Sequence, residues 1–223
     1  MYKRQPFEVP VVVRRDTGRV AVLKIRRPKV LNALNEEIFN ELRTRFGEVQ
    51  ADPSIDAIVL TAFGKKAFVS GADVGFLAKI ESEEHGEQTS RGSQEVLNFI
   101  EDVGKPVVCA MNGLAFGGGN ELAMACTARI AKAGLRVFVA QPEPNLGIIP
   151  GAGATQRLPR LIGLEAAAGM LRTGRPISST QALELGLIQQ EVEDDLVGAA
   201  IQLANDLASG KAELKSISRQ PMD

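Results

Sequence analysis

The sequence predicts an α/β fold built from buried strands that end in glycine-rich turns. Short apolar runs typical of strands alternate with stretches whose apolar residues recur at helical spacing. Turns rich in glycine follow at residues 69–73, 112–121 and 141–158. A strand–strand–helix order recurs without any exact repeat, and no linker divides the 223 residues. One large α/β domain is therefore predicted.

The N-terminal part of the chain predicts a hairpin, a helix and a buried strand, in that order. Residues 11–25 hold two apolar runs around an Asp-Thr-Gly turn, the pattern of a β-hairpin. Residues 35–50 predict a helix with Asn35 as its N-cap. Its apolar stripe consists of Ile38, Leu42, Phe46 and Val49. Residues 55–62, IDAIVLTA, form a continuous apolar run, as in strands buried on both faces.

The rest of the chain continues the alternation. The polar stretch ESEEHGEQTSRG, residues 81–92, is predicted to be a mobile loop with His85 in solvent. A helical stripe follows, and KPVVCAMNG, residues 105–113, predicts a second buried strand. Residues 136–143 predict another strand after the glycine run and its helix. The remainder is predicted to be mostly helical, with one short β-like stretch at residues 187–193.

Composition limits the classes of function. Apolar residues make up 44 % of the chain and charged residues 24 %, with a net charge of −1, as in globular proteins. The sequence contains no block of Lys and Arg residues that would favour nucleic-acid binding. It also contains no run of about 18 apolar residues that would favour a membrane span. The N-terminus does not resemble a secretory signal, so we expect a cytoplasmic protein without nucleic-acid or membrane partners. Cys109 and Cys126 are expected to be reduced core residues, and a single histidine disfavours Ser-His-Asp and His-rich metal chemistry.

The stretch AFGGGNELAMAC, residues 115–126, places three glycines and a glutamate at the start of an apolar helix. Bare N–H groups at a helix start suit either a phosphate or an oxyanion. A P-loop would need Lys-Ser/Thr after its glycines, and the stretch GAGATQ lacks the third glycine of a dinucleotide site. Because Glu121 would repel a phosphate, an oxyanion that forms during a reaction fits better.

Each of these residues also has a simpler interpretation. The glycines could mark close packing of helix and strand, and Glu121 could complement the helix dipole. Glu143, between two prolines, could be an exposed turn carboxylate, and Asp73 a turn or cap residue. Taken one residue at a time, the sequence leaves these alternatives open.

Four strings, read together and in order, resemble the crotonase superfamily and most closely the enoyl-CoA hydratases. They are LNALN (31–35), AFVSGADV (67–74), KPVVCAMNGLAFGGGNELAMAC (105–126) and QPEPNLGIIPGAGATQRLPRLIG (141–163). A weaker match follows at residues 173–188, so the resemblance covers about residues 11–195.

The resemblance implies a crotonase-like spiral of ββα units with a helical C-terminal part. Residues 1–195 would be the acyl-CoA-binding core, and residues 196–223 a C-terminal helical segment that is shorter than in single-domain relatives. The chain would assemble as a homotrimer or a dimer of trimers. It would need no metal or other cofactor, since the substrate itself carries coenzyme A.

By the same resemblance, the enzyme would be a hydro-lyase that adds water to a 2-enoyl-CoA thioester, as in fatty acid β-oxidation. The catalytic groups would be the carboxylates of Glu121 and Glu143 and the amides of Ala72 and Gly118. Glu121 would activate the water and Glu143 would supply the proton at C2. The expected substrate-binding residues are Lys29, Leu31, Ala33, Leu34, Gly71, Asp73, Gly117, Pro142 and Gly151.

Other members of the superfamily remain alternatives. They include a Δ3,Δ2-enoyl-CoA isomerase, another acyl-CoA enzyme, and the hydratase part of a multifunctional β-oxidation protein. A crotonase-like protein that only binds RNA or a protein partner is a rival from a different class. The presence of both glutamates favours a hydratase, because an isomerase needs a single base and a binding protein needs none.

Overall fold

A computed structural model describes residues 10–214. The N-terminal residues 1–9 and residues 215–223 of the predicted C-terminal segment lie outside the described part of the chain. The strands within it are β1 (Val12–Thr17), β2 (Val20–Ile25), β3 (Ala57–Ala62), β4 (Ala67–Val69), β5 (Val107–Met111), β6 (Leu114–Phe116), β7 (Ala128–Lys132), β8 (Val139–Ala140) and β9 (Gln190–Val192). The α-helices are α1 (Glu36–Ala51), α2 (Val74–Leu77), α3 (Glu83–Glu101), α4 (Gly118–Met124), α5 (Ala154–Ile162), α6 (Leu164–Thr173), α7 (Ser179–Glu184) and α8 (Leu196–Ala208). Two 3-10 turns lie at Pro28–Val30 and Glu143–Leu146.

The strands form two sheets that the chain visits in turn. The larger sheet has the order β1-β2-β3-β5-β7-β9, and the smaller one the order β4-β6-β8. Only the β1–β2 hairpin is antiparallel, and every other pair is parallel. The chain thus passes from a strand of the large sheet to one of the small sheet and then into helix, three times in succession. This is the predicted α/β spiral of ββα units.

The apolar runs of the large sheet are continuous because both of its faces are covered. In β3, Ile58 and Leu60 face the main core with α1, whereas Ala57 and Val59 belong to a second apolar cluster. That second cluster lies under α8, which packs on the outer face of β3, β5 and β7. Parallel strands buried on both sides are expected to lack polar alternation.

Several predicted elements are confirmed. The hairpin forms from β1 and β2, and the side chain of Asn35 accepts a hydrogen bond from the Ile38 amide at the start of α1. The apolar stripe of α1, formed by Ile38, Leu42, Phe46 and Val49, is buried. Cys109 and Cys126 are buried free thiols. No helix within residues 10–214 has the length and apolar character needed to cross a membrane.

Two predictions about elements need correction, and one strand was not predicted. Residues 81–92 are not a loop, because α3 begins at Glu83 and carries His85 exposed in its first turn. The strand predicted over residues 136–143 is reduced to the two residues of β8. Strand β7 was not predicted, and it forms because its backbone pairs with β5 on one side and β9 on the other.

Candidate active site

The three consecutive glycines each meet a different part of the molecule. A Cβ built on Gly117, which has a φ of +49°, would lie 2.6 Å from Oε1 of Glu143. A Cβ on Gly118 would lie 3.8 Å from the Ala72 amide nitrogen and 4.0 Å from Oε2 of Glu121. A Cβ on Gly119 would overlap the carbonyl oxygen of Val69. The run therefore lets α4 pack on β4 while it keeps side chains out of the space between the two glutamates.

Glu121 lies in the first turn of α4 and is only 2 % exposed. Its Oε1 accepts hydrogen bonds of 2.9 Å from the amides of both Ala152 and Ala154. Oε2 has no hydrogen-bond partner within residues 10–214 and faces the space beside Gly118. Burial raises the pKa of Glu121, and the two amides oppose that rise. One oxygen is thus fixed, and the other is available to a ligand.

Glu143 begins the 3-10 turn that follows β8, and it is 8 % exposed. Its Oε2 is buried without a hydrogen-bond partner among the described residues. Burial raises the pKa of Glu143 to about 7, and the charge of nearby Glu121 adds to the rise. Near neutral pH this carboxyl group can therefore hold a proton that it can give away.

Two backbone amides, of Ala72 and Gly118, border the same space. Residues 34 and 72 form a β-bridge, in which Leu34 donates to the Gly71 carbonyl and Asp73 donates to the Leu34 carbonyl, both at 2.8 Å. This pairing uses the neighbours of the Ala72 amide and leaves that N–H without an acceptor in the described chain. Gly118 is the first residue of α4, where an N–H has no intrahelical acceptor.

The other predicted binding residues separate into two groups. Gly71, Gly117, Pro142 and Gly151 belong to the three turns around Glu121 and Glu143, with the Leu34 side chain beside Gly118. Lys29 and Leu31 lie instead on a cleft of about 510 Å³ between the first 3-10 turn and the β3–β4 connection, which also carries Lys65 and Lys66. The Ala33 carbonyl accepts a hydrogen bond from Arg27.

Asp73 has partners within the protein. Its carboxylate caps α2 by accepting from the Gly75 amide, and it pairs with Arg27 at 3.1 Å. The hydrogen bond from Arg27 lowers the pKa of Asp73. This pair ties the segment of residues 27–33 to the loop that carries the Ala72 amide.

Sequence reasoning missed several polar residues that support these turns. Asn32 is buried in a left-handed conformation, and its side chain bonds the Arg27 amide and the carbonyls of Phe63 and Ala67. Asn120, directly before Glu121, and Gln141, two residues before Glu143, are fully buried with unpartnered side-chain atoms within the described region. Arg157 and Gln94 contact the loop of residues 151–154, whose amides donate to the carboxylate of Glu121. Only the position of Asn120 and Gln141 beside motif residues could have drawn attention to this set.

The arrangement suits a reaction in which an oxyanion forms while a proton moves on each side of it. Two free N–H groups can stabilise negative charge on one oxygen atom. Two carboxyl groups in different environments, one fixed by amides and one desolvated, can act as base and acid at the same pH.

Comparison with known proteins gives consistent matches over most of the chain. A family model described as enoyl-CoA hydratase/isomerase matches residues 15–222. The chain is 38 % identical over 218 residues to a short-chain-enoyl-CoA hydratase of Clostridium acetobutylicum, a match that covers 97 % of this chain and 82 % of the relative. It is 42 % identical over 177 residues to a crotonyl-CoA hydratase of Syntrophomonas wolfei, covering 79 % and 67 % respectively. The solved structure of an enoyl-CoA hydratase from Bacillus anthracis matches with a TM-score of 0.83 and 35 % identity, covering 89 % of this chain and 77 % of that one.

Proposed function

The chain belongs to the enoyl-CoA hydratase/isomerase family, and we propose that it hydrates the 2,3 double bond of 2-enoyl-CoA thioesters with Glu121 and Glu143 as its acid–base pair. The enzyme is a lyase that acts on acyl-CoA thioesters. Its product is the 3-hydroxyacyl-CoA.

Hydration moves negative charge onto the thioester carbonyl oxygen. When the oxygen of water bonds to C3, the electrons of the double bond shift through C2 and an enolate forms. The amides of Ala72 and Gly118 would donate to this oxygen, and each such donor lowers a barrier by about 3 kcal/mol. The start of α4 adds its positive partial charge.

The two glutamates would complete the addition. Oε2 of Glu121 orients the water and takes its proton, while Oε1 stays on the amides of Ala152 and Ala154. Glu143 gives its proton to C2. Exchange with solvent then returns both carboxyl groups to their starting states. These steps require no metal or redox cofactor, since the addition of water brings no net oxidation and the two carboxyl groups handle both protons.

The observation that carries this assignment is the difference between the two carboxyl groups. Burial raises the pKa of both groups, but at Glu121 the amides of Ala152 and Ala154 oppose the rise, whereas Oε2 of Glu143 is buried without a partner among the described residues and the pKa of Glu143 is raised to about 7. A base and an acid close to one another must differ in this way.

The substrate's coenzyme A would extend toward Lys29. The cleft of about 510 Å³ carries Lys29, Lys65 and Lys66 around Phe63 and Asn32. Three cations suit the phosphate groups of coenzyme A. We assign this cleft to the nucleotide end of the thioester substrate.

The test is the hydration of crotonyl-CoA by the purified chain, followed by loss of enoyl absorbance and by product mass. Glu121→Gln and Glu143→Gln should each lower kcat by about 10²- to 10⁴-fold with little change in KM. Glu165→Gln, at an exposed glutamate of α6, is the matched control and should behave like the unsubstituted chain.

Other outcomes would change the assignment. Normal turnover by either variant would remove that residue from the mechanism. Conversion of a 3-enoyl-CoA to its 2-enoyl isomer, without hydration, would assign the chain to the isomerases of the same family.

We propose that the chain assembles as a homotrimer or a dimer of trimers. The loop after Glu143 exposes Leu146, Ile148 and Ile149, with Ile149 80 % exposed. An apolar group of this kind favours burial against another subunit.

A further inference from the structure

We infer that Arg157 is a positioning residue that lies behind Glu121, on the side away from the reacting groups. It holds the loop of residues 151–154 so that the amides of this loop point at Oε1 of Glu121. The inference rests on the proposed function, because Glu121 is taken to be the base. Arg157 itself does not reach the space between the glutamates. It acts through the loop backbone.

The contacts of Arg157 lie on the opposite side of the loop from Glu121. Its Nη1 donates to the carbonyl of Ala152 at 3.3 Å. The Ala152 amide, one peptide unit earlier, donates to Glu121 at 2.9 Å. A Cβ on Gly153 would overlap the Arg157 guanidinium, so glycine is required for the arginine to come this close. The loop is thus held between a cation on one side and a carboxylate on the other.

The guanidinium is held firmly in turn by α3. Arg157 is 6 % exposed and donates through Nε and Nη2 to Glu101, at 3.0 and 2.7 Å. Nη2 also donates to Asn98 at 2.7 Å. Both bonds to Glu101 converge on its Oε2, and the planar guanidinium donates in fixed directions to this oxygen, to Asn98 and to Ala152, which a lysine could not do.

Gln94 adds a weaker contact to the same loop. Its Nε2 donates to the Gly151 carbonyl at 2.7 Å. The C=O of Gly151 and the N–H of Ala152 belong to one planar peptide unit and point in opposite directions. A donor on that carbonyl therefore helps to turn the amide toward Glu121. Gln94 is exposed, so its contribution is expected to be small.

The charged groups around Glu121 determine how removal of Arg157 would change the pKa of Glu121. Glu143 faces it from the 3-10 turn after β8, and Arg157 faces it from α5, whereas β4 and β6 contain no ionisable residue. Burial raises the pKa of Glu121, and Arg157 opposes that rise both by charge and by holding the amides in place. Without Arg157, the pKa of Glu121 should rise further, and less of the base should be ionised at pH 7.

The experiment compares Arg157→Met, Arg157→Lys and Gln94→Leu by their pH–rate profiles. Arg157→Met should lower kcat at pH 7 by about 10- to 100-fold, move the acid limb to higher pH and leave KM nearly unchanged. Arg157→Lys keeps the charge without the planar guanidinium, so its acid limb should stay near that of the unsubstituted chain while kcat falls. Gln94→Leu should lower kcat by less than about 5-fold.

Two controls on α3 match these changes. Arg91→Met removes an exposed arginine that pairs only with Glu87 among its described contacts, and Gln88→Leu removes an exposed amide bonded to Glu84. Neither should change the profile.

Infrared titration of the Glu121 carboxyl band, identified by its loss in Glu121→Gln, gives a readout that does not need turnover. An unmoved Glu121 pKa in Arg157→Met would overturn the inference, as would a loss of rate that is equal at every pH. If the unsubstituted chain hydrated no enoyl-CoA, the proposed function would fail, while the titration would still decide whether Arg157 acts on Glu121. If Arg157→Met did not fold, Arg157→Lys would decide the inference through the maximum of its pH–rate profile, and an unchanged maximal kcat in that variant would overturn it.

Discussion

At the scale of single residues, two adjacent non-glycine residues adopt the left-handed backbone conformation. Leu31 and Asn32 have φ values of +52° and +59°. Asn32 is stabilised there because its side chain bonds Arg27, Phe63 and Ala67 in place of water. Non-glycine residues persist in this region only where their surroundings determine it, and such places cluster at functional sites. The segment they shape also carries Leu34, which aligns the Ala72 amide.

Gly117→Ala should displace the Glu143 carboxylate and strain the peptide unit that carries the Gly118 amide. The new Cβ would lie 2.6 Å from Oε1 of Glu143, and alanine would also be strained at a φ of +49°. We expect kcat to fall at least about 10-fold and the free energy of unfolding to fall by about 1–2 kcal/mol. Steady-state kinetics and urea unfolding measure the two effects. Unchanged kcat would mean that the Glu143 carboxylate is not held against Gly117.

Glu143→Gln should stabilise the protein at alkaline pH although it lowers kcat. The pKa of Glu143 is raised from 4.5 to about 7 in the folded state, so the carboxyl stays protonated in the fold while it ionises in the unfolded chain. Its favourable contribution is complete below pH 4.5 and is lost as the pH rises through 7. The loss amounts to about 3 kcal/mol, which a glutamine avoids.

Urea unfolding of the unsubstituted chain and of Glu143→Gln at pH 5 and pH 8 measures this difference. The difference in the free energy of unfolding between the two proteins should be larger at pH 8 than at pH 5. Glu165→Gln serves as the control and should show no such increase. Parallel behaviour of Glu143→Gln and the unsubstituted chain at both pH values would contradict a raised pKa.

At the scale of elements, the approach of α4 to β4 depends on Gly119. A Cβ there would overlap the backbone of Val69, which cannot move aside as a flexible side chain could. Gly119→Ala should therefore lower the free energy of unfolding by more than about 2 kcal/mol. Gly169→Ala on α6 is the matched control, because nothing lies within 4 Å of the added methyl group. That change should raise stability by about 0.5–1 kcal/mol.

Thermal unfolding of both glycine variants tests this contrast. Equal melting temperatures would show that α4 can shift away from β4 at little cost.

Periodicity predicted the elements that bury a stripe or a face, and it failed where burial is not the cause. The first half of α3 is polar all round, so it has no apolar period to detect. It is helical because Ser82 caps its start, Glu83 and Glu84 complement the dipole, and Glu87 pairs with Arg91 one turn on. Strand β7 was missed for a related reason, since its five residues are fixed by strand neighbours distant in sequence.

The site residues likewise fall into those that the sequence could identify and those that it could not. Glu121 drew attention because it follows three glycines at a helix start, but the roles of Glu121 and Glu143 came only from the resemblance of the four strings read together. Arg157 could not be identified, because its partners Asn98 and Glu101 lie 59 and 56 residues away. A contact across that separation has no local pattern, and an arginine near the start of a helix is otherwise expected to face solvent.

At the scale of the whole molecule, the exposed loop after Glu143 leads to a prediction about assembly. Sedimentation equilibrium should give about three or six times the chain mass of 23.8 kDa. Ile149→Asp should shift the protein toward the monomer, because it places a charge in the apolar interface proposed for this loop. Val137→Asp, at a residue 53 % exposed outside this loop, is the control. A monomeric unsubstituted chain would contradict the proposal.

The strand order of the large sheet has a consequence for synthesis on the ribosome. From β2 to β9 the order in the sheet follows the order in the chain, so each emerging strand finds its partner already made. Every residue proposed to act in or behind the site has emerged once Arg157 has. The outer face of the sheet, however, stays uncovered until α8, Leu196–Ala208, has been made. A nascent chain paused between these points would hold all of its catalytic groups while it presents an apolar surface to chaperones.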